Sequence, residues 1–128
     1  MTPRILSIDD SKTIRLMLAR LFRPFACELL EAANGEEGLA VASRANPDLI
    51  ILDYNMPVMD GIAMLRKMRE DPGMKRTPVI ILTADSGLQS LATAARLGVR
   101  DYVTKPFREE ELLAKVGRII PLISRVES

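Results

Sequence analysis

A chain of 128 residues with 18 basic and 17 acidic side chains, 48% of it hydrophobic, is sized for one globular domain over residues 1–128 that buries roughly two-thirds of its unfolded surface. A formal charge of +1 supplies no long-range attraction for nucleic acid or an anionic bilayer. The lack of histidine excludes imidazole bases and histidine-ligated zinc, and the lone Cys27 excludes an internal disulfide and a thiolate cluster, so any metal here must be held by oxygen.

In chain order, Arg4–Ile8 reads as the first strand, because its hydrophobicity is continuous rather than alternating, as expected of a strand covered on both faces. Ile14, Met17, Leu18, Leu21 and Phe22 then fall at helical spacing and predict one apolar stripe. A weaker strand is expected at Cys27–Ala32. Asn34, with Glu37 three residues later, marks the start of a helix from Gly35 to Ala45, where Gly38 is expected to cost ~0.5–1 kcal/mol of local stability. Leu49–Leu52 is a second continuous apolar run. The helix after it, Gly61 to Glu70, carries Met64 and Met68 at i, i+4, a core pair rather than a flexible binding surface. Val79–Leu82 repeats the strand pattern, Leu88, Leu91, Ala92 and Ala95 form a helical stripe, and Gly98 stops that helix. Asp101–Val103 is a short fifth strand. The last helix opens on Glu109 to Glu111, runs its stripe through Leu112, Val116, Ile119 and Ile120, and ends at Pro121 with a short trailer. Strict strand-helix alternation implies an α/β fold with a doubly wound, mostly parallel five-stranded sheet.

In such sheets ligands bind beyond the carboxyl ends of the strands. The first predicted strand runs into Asp9 and Asp10, the third into Asp53, the fourth into Thr83 and the fifth into Lys105-Pro106. Singly, each has a plain structural explanation: Asp10 as a helix N-cap, Asp53 as a turn former, Thr83 as a β-branched strand residue, Lys105 as a solvated charge. Together at one rim they form three carboxylates, a hydroxyl and an ammonium. Clustered carboxylates call for a cation, oxygen-only ligation points to Mg²⁺, and Lys105 with Thr83 suits a tetrahedral dianion near Asp53. Arg15, Arg20 and Arg23 read as a solvated face of the first helix.

Asp9-Asp10-Ser11, Leu52-Asp53-Tyr54-Asn55-Met56-Pro57-Val58-Met59-Asp60-Gly61, Leu82-Thr83-Ala84 and Tyr102-Val103-Thr104-Lys105-Pro106-Phe107 resemble, in order and spacing, the signature of the response-regulator receiver domain of two-component signalling. The single-domain, chemotaxis-type members are the most similar. The resemblance implies a flavodoxin-like fold with strand order 2-1-3-4-5 and a phosphoacceptor switch rather than an enzyme. Asp53 would accept a phosphoryl group from the phosphohistidine of a sensor histidine kinase or histidine phosphotransfer protein. Asp10, Asp53 and the backbone carbonyl of Asn55 would bind Mg²⁺ directly, and Asp9 through a water molecule. Lys105 and Thr83 would contact the phosphoryl oxygens, Pro106 would follow a cis peptide, and Thr83 with Tyr102 would switch the surface of the fourth helix, fifth strand and fifth helix toward a downstream protein target.

Two rival classes fit less well. A Mg²⁺-dependent phosphohydrolase with an Asp nucleophile is expected to place a second Asp two residues on, where this chain has Asn55, which does not exchange a proton usefully, so an acyl phosphate should persist; the resemblance implies slow autodephosphorylation, with Asn55 and Asp85 flanking the path of the attacking water. A nucleotide- or flavin-binding module needs a glycine-rich turn after the first strand, and the turn here reads Asp-Asp-Ser-Lys. With no apolar run near the ~20 residues of a membrane span and no leader-like N-terminus, the expected location is cytoplasmic, with no membrane insertion and no direct nucleic-acid partner.

Overall fold

The computed structural model describes residues 2–56, 58–84 and 88–125, with the backbone alone at 88–90. Five strands and five helices alternate along the chain: β1 Arg4–Ile8, α1 Lys12–Phe22, β2 Glu28–Ala32, α2 Gly35–Ala45, β3 Leu49–Asp53, α3 Gly61–Glu70, β4 Val79–Thr83, α4 Leu88–Arg96, β5 Asp101–Thr104 and α5 Glu109–Gly117. All neighbouring strands are parallel, in the order β2-β1-β3-β4-β5. The flavodoxin-like α/β fold expected from the alternation is therefore the one observed. Chain order reverses at β1 and β3, so the crevice beyond their carboxyl ends is the place where side chains from two directions meet.

The sheet divides the core in two. Leu6, Ile8, Ile50, Leu52, Val79 and Ile81 face Ala42 of α2, Met64, Leu65 and Met68 of α3 and Ala94 of α4. Ile5, Leu49, Ile51, Ile80, Leu82 and Val103 face Leu18, Leu21 and Phe22 of α1 and Leu112 and Val116 of α5. Every residue of β3 and β4 is buried, which is why both read as unbroken apolar runs. Met64 and Met68 are fully buried, as their spacing indicated.

Helix starts follow local chemistry. Asn34 Oδ1 accepts from Glu37 N at 2.8 Å and Glu37 Oε1 accepts from Ala33 N at 3.2 Å, a reciprocal arrangement at the start of α2. Asp60 Oδ1 caps α3 through Ala63 N at 2.8 Å. Gly98, at φ +79°, closes α4 in a conformation that disfavours any Cβ.

Several expectations change. The cap of α1 is Ser11, whose hydroxyl accepts from Ile14 N at 3.2 Å, so Asp10 is not spent on capping. The stripe of α1 is narrower than its spacing suggests, because Met17 is 39% exposed. Among the described side chains of α4 Ala94 is buried, while Ala92 and Ala95 are exposed and Leu91 is half-buried; the side chain of Leu88 lies outside the described residues. The last helix stops at Gly117, three residues before Ile120, and the chain from there to Arg125 returns along the start of β2: Ala26 N donates to Ile123 O at 2.6 Å, Arg125 N to Pro24 O at 2.8 Å, and the Arg125 guanidinium to Arg23 O and Cys27 O.

Gly38 also reads differently in three dimensions. A Cβ at that position would lie 2.5 Å from Cδ1 and 3.1 Å from Cγ1 of Ile8, which is fully buried, so the missing side chain lets α2 approach β1. Overpacking costs typically ~1–3 kcal/mol and exceeds the ~1 kcal/mol of helix propensity that alanine restores. Gly38→Ala is therefore expected to lower the thermal midpoint, measured by calorimetry.

Candidate functional site

Each strand of the inner sheet delivers one group to the same rim. Asp9 follows β1 directly, and its amide extends the ladder by donating to Ala32 O at 3.1 Å. Its carboxylate is 1% exposed and both oxygens are engaged: Oδ1 accepts from Ser11 N at 2.9 Å and Oδ2 from Lys105 Nζ at 2.9 Å. Asp53 ends β3, is 4% exposed, and accepts at Oδ1 from Lys105 Nζ at 3.1 Å and from Asn55 N at 3.3 Å. Asp10 is exposed beside them. One carboxylate oxygen from each of Asp9, Asp10 and Asp53 lies within 4.8 Å of the others.

Lys105 follows β5 and reaches this cluster with its amide donating to Thr83 O at 2.8 Å; its peptide bond to Pro106 is cis. Thr83 closes β4 opposite Thr104 and is 2% exposed. The structure thus brings Asp9, Asp10, Asp53 and Lys105 into one group, with Asn55 and Thr83 at its edge. Tyr102 stands apart on β5, opposite Ile81, and is 41% exposed. Pro57 and Asp85 lie outside the described residues.

Close chain packing keeps Asp53 in place. Gly61 N donates to Tyr54 O at 2.9 Å, and a Cβ on Gly61 would sit 2.8 Å from Asp53 O and 3.0 Å from Tyr54 Cα, both backbone atoms that have nowhere to move. Glycine at the start of α3 therefore folds the β3–α3 loop tightly over the end of β3. Within that loop Val58 holds φ +71°, strained for a β-branched residue, and is 80% exposed.

Burial first, then the negative charge of Asp9, push the Asp53 carboxyl up to about 6, against the opposing pull of the Lys105 ammonium. For Lys105, burial alone would favour the neutral amine; the hydrogen bond to Asp9 and the charges of Asp53 and Asp9 outweigh it and raise its pKa. The ordinary Asp value is 3.8, so in metal-free protein Asp53 binds its proton more tightly folded than unfolded. Its contribution favours folding below about pH 4 and is lost as pH rises through about 6, a penalty on the order of 2 to 3 kcal/mol at neutral pH. Asp53→Asn is expected to raise the thermal midpoint at pH 7 in metal-free buffer and to show little gain at pH 4, as read by melting curves across that range.

One contributor was read from sequence as a solvated charge, and another was not singled out. Arg15 is not merely solvated: its Nη1 donates to Asp9 O at 2.5 Å and its Nε pairs with Glu31 at 3.2 Å, tying α1 to the end of β1. Lys115 of α5 donates to Tyr102 O at 2.8 Å, pairs with Asp101 at 3.3 Å, and lies 5.4 Å from the centre of the Tyr102 ring. Neither has a local sequence signal, since both act across elements.

The model of the response regulator receiver domain matches residues 5–117. The chain belongs to that family. It is 34% identical to the chemotaxis protein CheY of Pseudomonas aeruginosa over 94% of its own length and 98% of that protein. Against the regulatory protein AtoC of Escherichia coli the identity is 40% over 94% of this chain but only 26% of AtoC, and another curated relative is matched over 51% of its length. Among solved structures, the chemotaxis protein CheY4 of Vibrio cholerae superposes with a TM-score of 0.88 at 33% identity, covering 94% of this chain and 100% of that one. This receiver domain is thus a CheY-like module of two-component signalling, a family of signalling switches that generally bind Mg²⁺ at an acidic pocket and interact with histidine kinases and downstream targets. No helix among the described residues is long and apolar enough to cross a membrane.

Proposed function

We propose that this receiver domain, spanning residues 1–128, is a phosphoacceptor switch in which Asp53 takes a phosphoryl group from the phosphohistidine of a sensor histidine kinase or a histidine phosphotransfer protein. The observation that carries the reading is the buried Asp53 carboxylate, 3.1 Å from the Lys105 ammonium and sharing a rim with Asp9 and Asp10. In the transfer an Asp53 oxygen forms the new bond to phosphorus, the P–N bond to imidazole breaks, and the imidazole leaves with that electron pair and takes a proton from solvent.

The acidic trio fits a hard divalent cation: only oxygen donors are present, they lie within 4.8 Å of one another, and Asp9 and Asp53 are buried where their mutual repulsion is poorly screened. Asp10, Asp53 and the Asn55 carbonyl would hold Mg²⁺, with Asp9 in its outer shell. When bound, the ion neutralises charge on the transferred group's oxygens. Lys105, already turned toward Asp53, would pair with a phosphoryl oxygen, and Thr83 would donate to another. Asn55, two residues beyond Asp53, supplies no carboxyl to protonate or deprotonate, which favours an acyl phosphate that lasts long enough to signal.

Output would pass through β5. Tyr102, Leu91, Ala92, Ala95 and Val99 border an open groove of about 460 Å³ between α4 and β5, and the Tyr102 ring lies at its exposed edge. Withdrawal of the Thr83 hydroxyl toward phosphate would make room for that ring and shift a two-state equilibrium of this face toward a protein target. The test is the amide spectrum with and without a beryllofluoride mimic in Mg²⁺. Changes are expected at Asn55 and Met56 and from Leu91 to Phe107; changes confined to the Asp53 loop would leave a domain whose partner reads the phosphate rim directly and would overturn the coupling.

A further inference from the structure

At the opposite end of the sheet, beyond the amino ends of β4 and β5, the charge reverses. An open groove of about 520 Å³ runs between the α3–β4 and α4–β5 loops, bordered by Lys75, Arg76, Arg96 and Arg100, with Arg69 at its base and no carboxylate in its lining. Five of the chain's 18 cationic side chains thus line one groove, and with the whole chain at +1 the remainder nets −4.

The five play two parts. Arg69 is a structural lace: Nε donates to Leu97 O at 2.7 Å, and Nη1 to Thr77 O at 3.0 Å and Lys75 O at 3.2 Å, so one guanidinium binds both loops and fixes the shape of the groove. The other four are exposed, and among the described residues none forms an ion pair. Nearby acids are engaged elsewhere: Asp71 accepts from Gly73 N at 2.8 Å and Asp101 pairs with Lys115. The plain explanation for cations here is the negative ends of α3 and α4, which account for Arg96 and Arg69. Two helix ends amount to about one negative charge in total, and five cations exceed that by about four.

We propose that this groove is a second, anion-specific site that binds an oligophosphate chain. Three guanidinium forks suit phosphate oxygens taken in pairs, whereas a single carboxylate or monophosphate would leave most of the cations unpaired. No aromatic ring lines the groove, so it offers no stacking platform for a base, and recognition falls on the phosphate chain itself, whether free or as the tail of a nucleotide.

The full chain is titrated with inorganic tripolyphosphate and, separately, with ATP in metal-free buffer, followed by calorimetry and amide shifts. Saturable 1:1 binding is expected, with Thr77, Gly98 and Arg100 moving and Asp9 and Lys105 still. Equal affinities assign the free chain as the source, and tighter ATP assigns the nucleotide. Arg76→Ala with Arg96→Ala is expected to weaken tripolyphosphate at least tenfold, while Arg20→Ala with Arg44→Ala, which removes the same charge elsewhere on the surface, changes it less than twofold. No saturation at millimolar concentration, equal loss in both double variants, tighter binding of duplex DNA, or shifts centred on Asp9 and Lys105 would each overturn the proposal.

Discussion

Asp53→Asn is expected to abolish acyl-phosphate formation, reducing incorporation from a small-molecule phosphodonor such as acetyl phosphate by at least about 100-fold. The amide is nearly isosteric but has no anionic oxygen to attack phosphorus, and it removes one of the three carboxylates that would hold Mg²⁺. Intact-protein mass spectrometry checks this, because a phosphoryl adduct is resolved from unmodified chain and is lost on mild base. The melting curve supplies the internal control: the variant should be more stable than wild type at pH 7 without metal, so a loss of incorporation cannot be assigned to unfolding. Wild-type incorporation by Asp53→Asn would remove the nucleophile from the mechanism.

Lys105→Met is expected to have an opposite signature. The ammonium lies 2.9 Å from Asp9 and 3.1 Å from Asp53, and its removal leaves two buried carboxylates facing one another without a cation. Deleting one partner of a buried ion pair costs about 3–5 kcal/mol, lessened here because Asp53 can take up a proton. Metal-free Lys105→Met should therefore melt well below wild type at pH 7 and recover most of the difference as pH is lowered toward 5. Millimolar Mg²⁺ should restore it as well, since a divalent ion replaces the lost charge. Phosphorylation should persist while target binding is lost, because the ammonium is the group that would hold the transferred oxygens in the switched arrangement. A variant with unaltered metal-free stability would show that Lys105 is not what balances the carboxylates.

The central strands were legible because burial on both faces leaves one pattern, a run of Ile, Val and Leu, unbroken in β3 and β4 and interrupted in β1 only by Ser7. The rim was legible because topology puts whatever follows those runs at one end; Asp9, Asp10, Asp53 and Lys105 meet there as expected. What sequence missed depends on neighbours distant in the chain. Ser11 and Asp10 are equally good cap formers by type, and only the path of the chain decides between them. Gly38 looks like a helix defect until Ile8 is placed against it. Arg15 belongs to a run of arginines on α1, and nothing local separates it from Arg20 before β1 delivers the Asp9 carbonyl. Alanine-rich α4 offers nearly equivalent stripes, so the position facing the core, Ala94, was displaced from the positions read by spacing.

The unequal covering of the sheet gives the domain a stiff middle and a compliant margin. β3 and β4 are buried along their whole length, whereas each edge strand has one fully buried residue, Ala32 in β2 and Val103 in β5. A load applied at the carboxyl end of β3 would therefore meet an element that cannot yield without opening both halves of the core, and displacement would pass sideways to the two edge strands. Tyr102, with Lys115 of α5 against its ring, lies on one of those margins. The packing that buries Asp53 would thus send strain outward from it, and the domain is built as a plank clamped along its middle and free at both sides.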